Sequence, residues 1–431
     1  YRKYQPITEV DTDLYGNDII VTDTSSIAAI AWRDFFADPA LQTLIDSALV
    51  KNTEYQVAQL RTGQALASLE AAKLAYIPSL NFGADGNISR YDGLTTKTYN
   101  IGLTASWEVD IFGKLTAAKR GAAAAAVSAD EQEQAVRTRL VATVATSYYS
   151  LLMLDRQIEI AENTLGNWTE TIRAMELLKT AGMANEAGIL QTKANRTGLQ
   201  ADIAAMKKSR KEIENSLCGL LAISPRPIAR NRIEDAVFPE ELSIGLPVQL
   251  LANRPDVRAA EMELARTHYA LGVARAAFYP SLTLGGTVGF TNNGGIAVNP
   301  GQWLLNAVGQ LMQPIFNRGQ LRAGYKIADA DREIALLQFN QSLINAGTEV
   351  NNALAGISEA RERLALVNEQ TELLADAVAK TELLMRHSPT SYLEVLTAQQ
   401  ALLGAQQSEV QCRYDEIAGI ISLYRALGGG K

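Results

Sequence analysis

The stretch Ala72-Lys73-Leu74-Ala75-Tyr76-Ile77-Pro78-Ser79-Leu80 returns 202 residues later as Ala274-Arg275-Ala276-Ala277-Phe278-Tyr279-Pro280-Ser281-Leu282. The same 202-residue offset sets Asn52-Thr53-Glu54-Tyr55 against Arg254-Pro255-Asp256-Val257, and a 204-residue offset sets Ile111-Phe112-Gly113-Lys114 against Ile315-Phe316-Asn317-Arg318. Self-similarity at a fixed offset marks a duplicated structural unit. The 431-residue chain is therefore two copies of one unit, and Pro225 and Pro227 begin the joint between them.

Each copy reads as helix, β-hairpin, long helix, helix. In the second copy Leu336, Leu343, Val350, Ile357 and Leu364 recur every seven residues, with Phe339, Ala346, Ala353, Ala360, Val367 and Leu374 three residues later. The first copy repeats the pattern with Val144, Leu151, Ile158, Leu165 and Ile172 against Leu140, Leu154, Ala161, Trp168 and Met175. These are a and d positions of a left-handed coiled coil. Neither Leu115 to Lys179 nor Gln320 to Met385 contains a proline, so each stretch predicts one helix of about 100 Å at ~1.5 Å per residue. Gly182 and Ser388-Pro389 supply the stops, so each long helix leads into a second, shorter one.

After Pro78, Leu80, Phe82, Ala84 and Ile88 alternate with polar residues; past a polar loop expected at Asp92 to Lys97, Tyr99, Ile101, Leu103, Ala105, Trp107 and Val109 do the same. In the second copy Leu282, Leu284, Val288 and Phe290 precede a turn rich in glycine and asparagine, and Trp303, Leu305, Ala307 and Leu311 follow it. Strands near 11 residues fit a tilted membrane crossing. Phe82, Tyr99, Trp107, Phe290 and Trp303 are the candidate membrane-facing and interface aromatics. A soluble antiparallel sheet shows the same alternation, but the flanking helices are too long to fold back over these hairpins. No run of 18 apolar residues exists, which leaves a β-barrel as the route across a bilayer. Four strands cannot close one, the minimum being about eight, so the barrel is shared between chains. Two copies or three satisfy that count equally.

A net charge of −7 with Lys and Arg scattered through the chain offers no basic stripe to nucleic acid, and no nucleophile elbow, phosphate loop or zinc spacing points to an enzyme. No cofactor or metal is expected. Cys218 and Cys412 read as buried free thiols, and His268 has no second ligand near it in sequence. The chain shows no signal peptide and reads as an exported protein whose targeting segment has been removed.

Six motifs in order then resemble one family. They are Trp32-Arg33-Asp34-Phe35-Phe36-Ala37-Asp38-Pro39-Ala40-Leu41; Leu251-Ala252-Asn253-Arg254-Pro255-Asp256-Val257-Arg258-Ala259-Ala260-Glu261; Phe278-Tyr279-Pro280-Ser281-Leu282; Gln313-Pro314-Ile315-Phe316; Ser391-Tyr392-Leu393-Glu394-Val395-Leu396; and Ala426-Leu427-Gly428-Gly429-Gly430. Together they resemble the TolC-like outer-membrane factors, in particular the OprM-like (NodT-type) branch that serves resistance-nodulation-division (RND) efflux pumps. The resemblance implies a mixed α and β fold: a homotrimer whose four strands per chain share a 12-stranded transmembrane β-barrel above a long coiled-coil α-helical barrel. It implies a passive exit duct for drugs or other small toxic molecules in the outer membrane of a Gram-negative bacterium, with most of the chain in the periplasm. The implied partners are a periplasmic adaptor, an inner-membrane RND transporter and outer-membrane lipid. Many members carry lipid on an N-terminal cysteine, which here would lie ahead of Tyr1. A duct for type I protein secretion or metal efflux, and a structural coiled-coil periplasmic protein, are the alternatives.

On this reading residues 1–41 form an N-terminal segment with an equatorial contribution, 42–78 the first repeat's helix, 79–113 its membrane hairpin and 114–222 its helical hairpin. Residues 223–247 form the linker, 248–280, 281–317 and 318–427 the corresponding parts of the second repeat, and 428–431 the tail. The resemblance places the periplasmic gate at Tyr392, Glu394 and Thr397, with Gly188 at the matching place in the first copy; Thr397 and Gly188 stand where the family's pattern is often acidic or polar. In a trimer one Glu394 becomes three, and like charges in a narrow bore repel one another and attract cations. The adaptor-docking tips are Thr180, Ala181, Gly182 and Met183 in the first copy and His387, Ser388 and Pro389 in the second.

Overall fold

The computed structural model describes residues 2–8, 10, 14–15, 26–182, 186–239, 242–292, 302–387 and 392–430. Its order is α1 (Trp32–Phe35), α2 (Pro39–Lys51), α3 (Thr53–Leu74), β1 (Ser79–Tyr91), β2 (Leu94–Val109), α4 (Lys114–Thr180), α5 (Glu186–Leu220), α6 (Leu250–Asn253), α7 (Pro255–Ala276), β3 (Ser281–Thr291), β4 (Gln302–Met312), α8 (Gln320–His387) and α9 (Tyr392–Ala426). The duplication is visible in the lengths: α3 and α7 each have 22 residues, α4 and α8 have 67 and 68, and α5 and α9 each have 35. Among the described residues no helix is long and apolar enough to cross a membrane.

Local chemistry sets the boundaries. Asp38 accepts the Ala40 amide at 2.8 Å with Pro39 at the first helical position, so α2 begins with a capped, preset turn. Asp110 opens α4 by accepting the amides of Leu115 (2.9 Å) and Thr116 (2.8 Å) and the Thr116 hydroxyl (2.6 Å). The polar loop expected from Asp92 to Lys97 is corrected to two residues. Asp92 and Gly93 have φ of 47° and 81°, the two positive values a type I′ hairpin turn needs. The strand resumes at Leu94, and Thr95, Thr96 and Lys97 pair with Arg90, Ser89 and Ile88. Threonine is polar, but its branched Cβ suits a strand.

The chain divides into two compact units. One comprises Tyr1–Thr8, Gln59–Gln132 and Asp256–Ser342, and holds the sheet; the other comprises Glu9–Ala58, Glu133–Pro255 and Leu343–Lys431. In the second unit Phe35 stacks on Tyr424 at 4.0 Å, Phe36 and Phe238 pack edge-on around them, and the Tyr424 hydroxyl donates to the Ile30 carbonyl at 2.7 Å. Further along, Ala161 and Trp168 of α4, Leu199 and Ile203 of α5 and Leu396 of α9 form one apolar cluster. The first copy's a and d residues are buried apart from the half-buried Leu165, and so are Phe339, Leu343, Ala346, Val350, Ala353, Ile357 and Ala360 in the second. Residues 228–233 are pinned rather than loose: Ile228 and Ile233 are buried, and Arg230 pairs with Asp155 and, at 2.7 Å, with Glu214.

Candidate functional site

The four strands form one antiparallel sheet in the order β1-β2-β3-β4. Its register sorts side chains by face, because successive residues of a strand point to opposite sides. Cross-strand rows on one face read Leu80-Ala105-Gly286-Ala307, Phe82-Leu103-Val288-Leu305 and Ala84-Ile101-Phe290-Trp303, with Trp107-Leu284-Gly309 and Val109-Leu282-Leu311 toward the helices and Gly86-Tyr99 beyond. Phe82, Tyr99, Trp107, Phe290 and Trp303 all lie on this face. It is uncovered in the single chain: Phe82 is 71% exposed, Trp303 74% and Leu305 84%. The opposite face carries Asn81-Thr104-Thr287-Asn306 and Asp85-Asn100-Thr291 rows, in which Asn100 Nδ2 donates to Asp85 at 2.9 Å and the Thr291 hydroxyl donates to Asn100 Oδ1 at 2.6 Å.

An apolar face open to its surroundings and a polar face opposite it suit a wall between lipid and water. The ten residue steps from Val109 to Tyr99 span about 33 Å at ~3.3 Å each, and a ~40° tilt reduces that to about 25 Å, the height of an outer-membrane apolar band. Aromatics stand at both limits. Phe290 packs on Trp303 (4.4 Å) near Tyr99, while Trp107 Nε1 donates to the Tyr76 carbonyl (3.0 Å) and Phe112 stacks on Tyr279 (4.9 Å) at the helix end. Asp85 and Glu108 are the charged side chains on the polar face among the described strand residues, and Glu108 pairs with Lys114 at 2.9 Å. β1 and β4 each pair on one side alone among the described residues.

In the first turns of α9, Glu394 and Thr397 are both exposed, one turn apart, while Val395 and Leu396 are buried. The Thr397 hydroxyl donates to the Leu393 carbonyl at 2.8 Å. Gly188 is not on such a surface: it is buried, and its carbonyl accepts the Thr192 hydroxyl at 2.9 Å, close by Met175. The α4–α5 turn exposes Thr180, Ala181 and Gly182, with Gly182 at φ 76° and its amide donating to the Lys179 carbonyl at 2.9 Å; Lys179 pairs with Glu186 across the turn. Lys193, by hydrogen bond and charge, holds Glu176 below the usual carboxylate range. Met183, Ser388 and Pro389 lie outside the described residues, and so do the side chains of His387 and Tyr392.

The family model for outer membrane efflux proteins matches residues 44–222 and 246–429, one segment for each repeat. The chain belongs to the outer membrane efflux protein family. Cation efflux system protein CusC of Escherichia coli K12 is 30% identical over 404 residues, covering 93% of this chain and 88% of CusC. Solvent efflux pump outer membrane protein SrpC of Pseudomonas putida is 29% identical over 411 residues, covering 92% and 87%. The open state of the Neisseria gonorrhoeae MtrE outer membrane channel superimposes with a TM-score of 0.89 at 27% identity, covering 100% of this chain and 98% of that one. The fold is TolC-like, and this efflux protein is an outer-membrane channel.

Seen in that fold, the sequence signatures are mostly scaffolding. Asp38, besides capping α2, accepts the Tyr148 hydroxyl at 2.6 Å and the Asn231 side-chain Nδ2 at 2.9 Å. Arg254 is buried and donates to Glu349 and to the Ala426 carbonyl at the end of α9, both at 3.0 Å. Gly428 turns there with φ 89°, and a Cβ on it would meet the Arg254 amide nitrogen at 3.0 Å, so the terminal glycines and the Arg254 motif are complementary parts of one joint. Two anchors escaped the sequence reading. Asp110 gathers the Thr116 hydroxyl and the amides of Leu115 and Thr116 on one carboxyl at the start of α4; an Asp just before a helix was the available signal. The Arg230–Asp155–Glu214 cluster joins residues too far apart in sequence to signal one another.

Proposed function

We propose that three copies of this chain close their sheets edge to edge into a 12-stranded barrel and serve as the exit duct of a tripartite pump, with a periplasmic adaptor and an inner-membrane RND transporter. The observation that carries this is the four-stranded sheet with one apolar face, one polar face and two open edges. Eight strands make a barrel whose interior side chains fill it, so two copies would leave no duct; twelve leave a lumen. Helices also expose apolar residues that a second copy would cover, Ile344, Leu366 and Leu373 of α8 being 55%, 60% and 65% exposed. Residues 114–222 and 318–427 are then the periplasmic hairpins, 79–113 and 281–317 the membrane segments, and 1–41 the N-terminal segment, whose residues 9–41 join 223–247 in the equatorial belt while residues 2–8 stay with the unit that holds the sheet. Thr180, Ala181, Gly182, Met183, His387, Ser388 and Pro389 form the adaptor-docking tips. The gate lies at Tyr392, Glu394 and Thr397, with Gly188 supporting it from within the first hairpin.

The cargo is small organic molecules. The polar face of the sheet is built largely of Ser, Thr, Asn and Gly, which hold no fixed counter-ion against a neutral solute, and SrpC is a solvent efflux protein. Metal cations are the second reading, favoured by the name of CusC and by a polar face whose charges are both acidic. Deleting the gene from its host and titrating susceptibility decides between them. Sensitisation to organic solvents and hydrophobic antibiotics, restored by the wild-type chain, supports the proposal. Sensitisation to copper or silver salts alone supports the cation reading, and no change in any susceptibility overturns both.

A further inference from the structure

In the unit that holds the sheet, residues 2–8 lie along α7. The Ile7 amide donates to Glu261 Oε1 at 3.1 Å, the Tyr4 amide to the Tyr269 hydroxyl at 3.2 Å, and the Arg2 carbonyl meets His268 Nε2 at 3.2 Å. Because α7 leads into β3, this order runs toward the sheet. The segment, α4 and α7 line an open cavity of about 1070 Å³ whose lining includes Arg2, Lys3, Tyr4, Arg120 and His268. A second cavity of about 700 Å³ shares Arg2 and His268 with it and adds Arg275 and the stacked Phe112 and Tyr279.

The charge is one-sided. Neither lining contains a carboxylate, and Arg2, Lys3, Arg120 and Arg275 make no ion pair among the described residues. The Tyr4 hydroxyl is buried with no hydrogen-bond partner among the described residues. Burial first, then Glu261 and Tyr269, push it up to about 12, so it stays a protonated donor. Four unpaired cations across two adjoining cavities that share Arg2, beside an unsatisfied donor, call for an anion with several acceptor oxygens.

Position selects the source of that anion. Arg275 is next to the last residue of α7, and the Phe112–Tyr279 stack lies between the strands and the helices. Arg120 is six residues into α4 and His268 eight residues before the end of α7, depths of about 9 and 12 Å at ~1.5 Å per residue. The headgroup layer beside the apolar band is about 5 to 8 Å thick, so the mouth lies at phosphate level and the floor just beneath. The geometry points to a binding site for the phosphate of an anionic phospholipid, such as phosphatidylglycerol, in the periplasmic leaflet, gripped by Arg275 and Arg2 at the mouth and by Arg120, Lys3 and Tyr4 below. Basic recesses at this level are built for lipid headgroups, and each Lys or Arg near an anionic surface is worth about a fivefold factor.

The inference rests on the sheet being the membrane segment, and its test separates the two. The full chain, purified in a zwitterionic detergent and assayed for channel conductance, is titrated with phosphatidylglycerol, with phosphatidylcholine of the same acyl chains, and with inorganic phosphate, and bound lipid is counted by native mass spectrometry. Phosphatidylglycerol is expected to bind in preference to phosphatidylcholine, with about a hundredfold loss in an Arg2→Gln/Arg120→Gln/Arg275→Gln variant that still conducts. Arg275→Lys retains binding, and so does Arg266→Gln, whose guanidinium is paired with Glu263 outside the cavity. Equal binding of the two lipids, unchanged binding by the conducting triple variant, or displacement of lipid by millimolar inorganic phosphate overturns the site. Failure of the wild-type chain to insert and conduct overturns the membrane reading itself.

Discussion

Leu103 and Thr104 are neighbours on β2 with opposite fates. Leu103 sits in the Phe82-Leu103-Val288-Leu305 row, four residues from Tyr99 and six from Val109, near the middle of the apolar band. Thr104 faces the polar side, its hydroxyl 3.3 Å from that of Thr287. An arginine on the lipid face at mid-membrane depth costs about 2–4 kcal/mol, and a trimer carries three, so Leu103→Arg is expected to destabilise the assembly by about 6–12 kcal/mol. Thr104→Arg loses one weak cross-strand contact, of order 0.5 kcal/mol per chain, and places its charge in water. The comparison is made by urea titration of liposome-inserted protein, following the shift in electrophoretic mobility on heating. Leu103→Arg should insert poorly or unfold at markedly lower urea, and Thr104→Arg should stay close to wild type. Equal losses, or a larger loss for Thr104→Arg, would refute the assignment of faces.

Other expectations follow from single contacts. Glu394→Gln should reduce cation preference in planar bilayers while leaving the folded trimer intact; unchanged selectivity in an open channel would remove Glu394 from the gate. Arg254→Met strands the Ala426 carbonyl but leaves Glu349 with Arg425 at 3.9 Å, so the loss should sit at the low end for a buried pair, about 2–3 kcal/mol, read as a fall in denaturant midpoint. Asp110→Ala leaves the Leu115 and Thr116 amides at the start of α4 without their cap, so the denaturant midpoint should fall by the equivalent of about 1 kcal/mol, and Asp110→Asn, which keeps an acceptor oxygen, should lose less.

The parts of this fold that repeat or alternate were the parts legible in the sequence. Duplication, heptads and strand alternation are local periodicities, and α4, α8 and the hairpins start and stop within a few residues of their proline and glycine signals. Leu336 shows the limit: it fits the heptad yet is 42% exposed, because the pattern says which residues seek a partner helix and not whether one chain supplies it. The turn at Asp92-Gly93 was read too long because threonines count as polar in a pattern of hydrophobicity, although their shape favours a strand. At the tips, the family resemblance singled out Glu394, Thr397 and Gly188, but whether Gly188 faces outward depends on how α4 and α5 pack at Met175 and Thr192, which no local spacing encodes. The basic recess beneath the sheet gathers Arg2, Arg120 and Arg275 from three distant stretches and left no trace in the sequence.

The sharing of one barrel among copies is tested most directly by joining the open edges. Cysteines placed in pairs on β1 and β4, such as Asn81→Cys with Asn306→Cys, in a background carrying Cys218→Ala and Cys412→Ala, are oxidised in isolated outer membranes and resolved on denaturing gels. Closure by three copies predicts covalent ladders that end at the trimer at registers where the edges meet. Ladders that end at the dimer, bonds formed within single chains, or no bond at any register would contradict it.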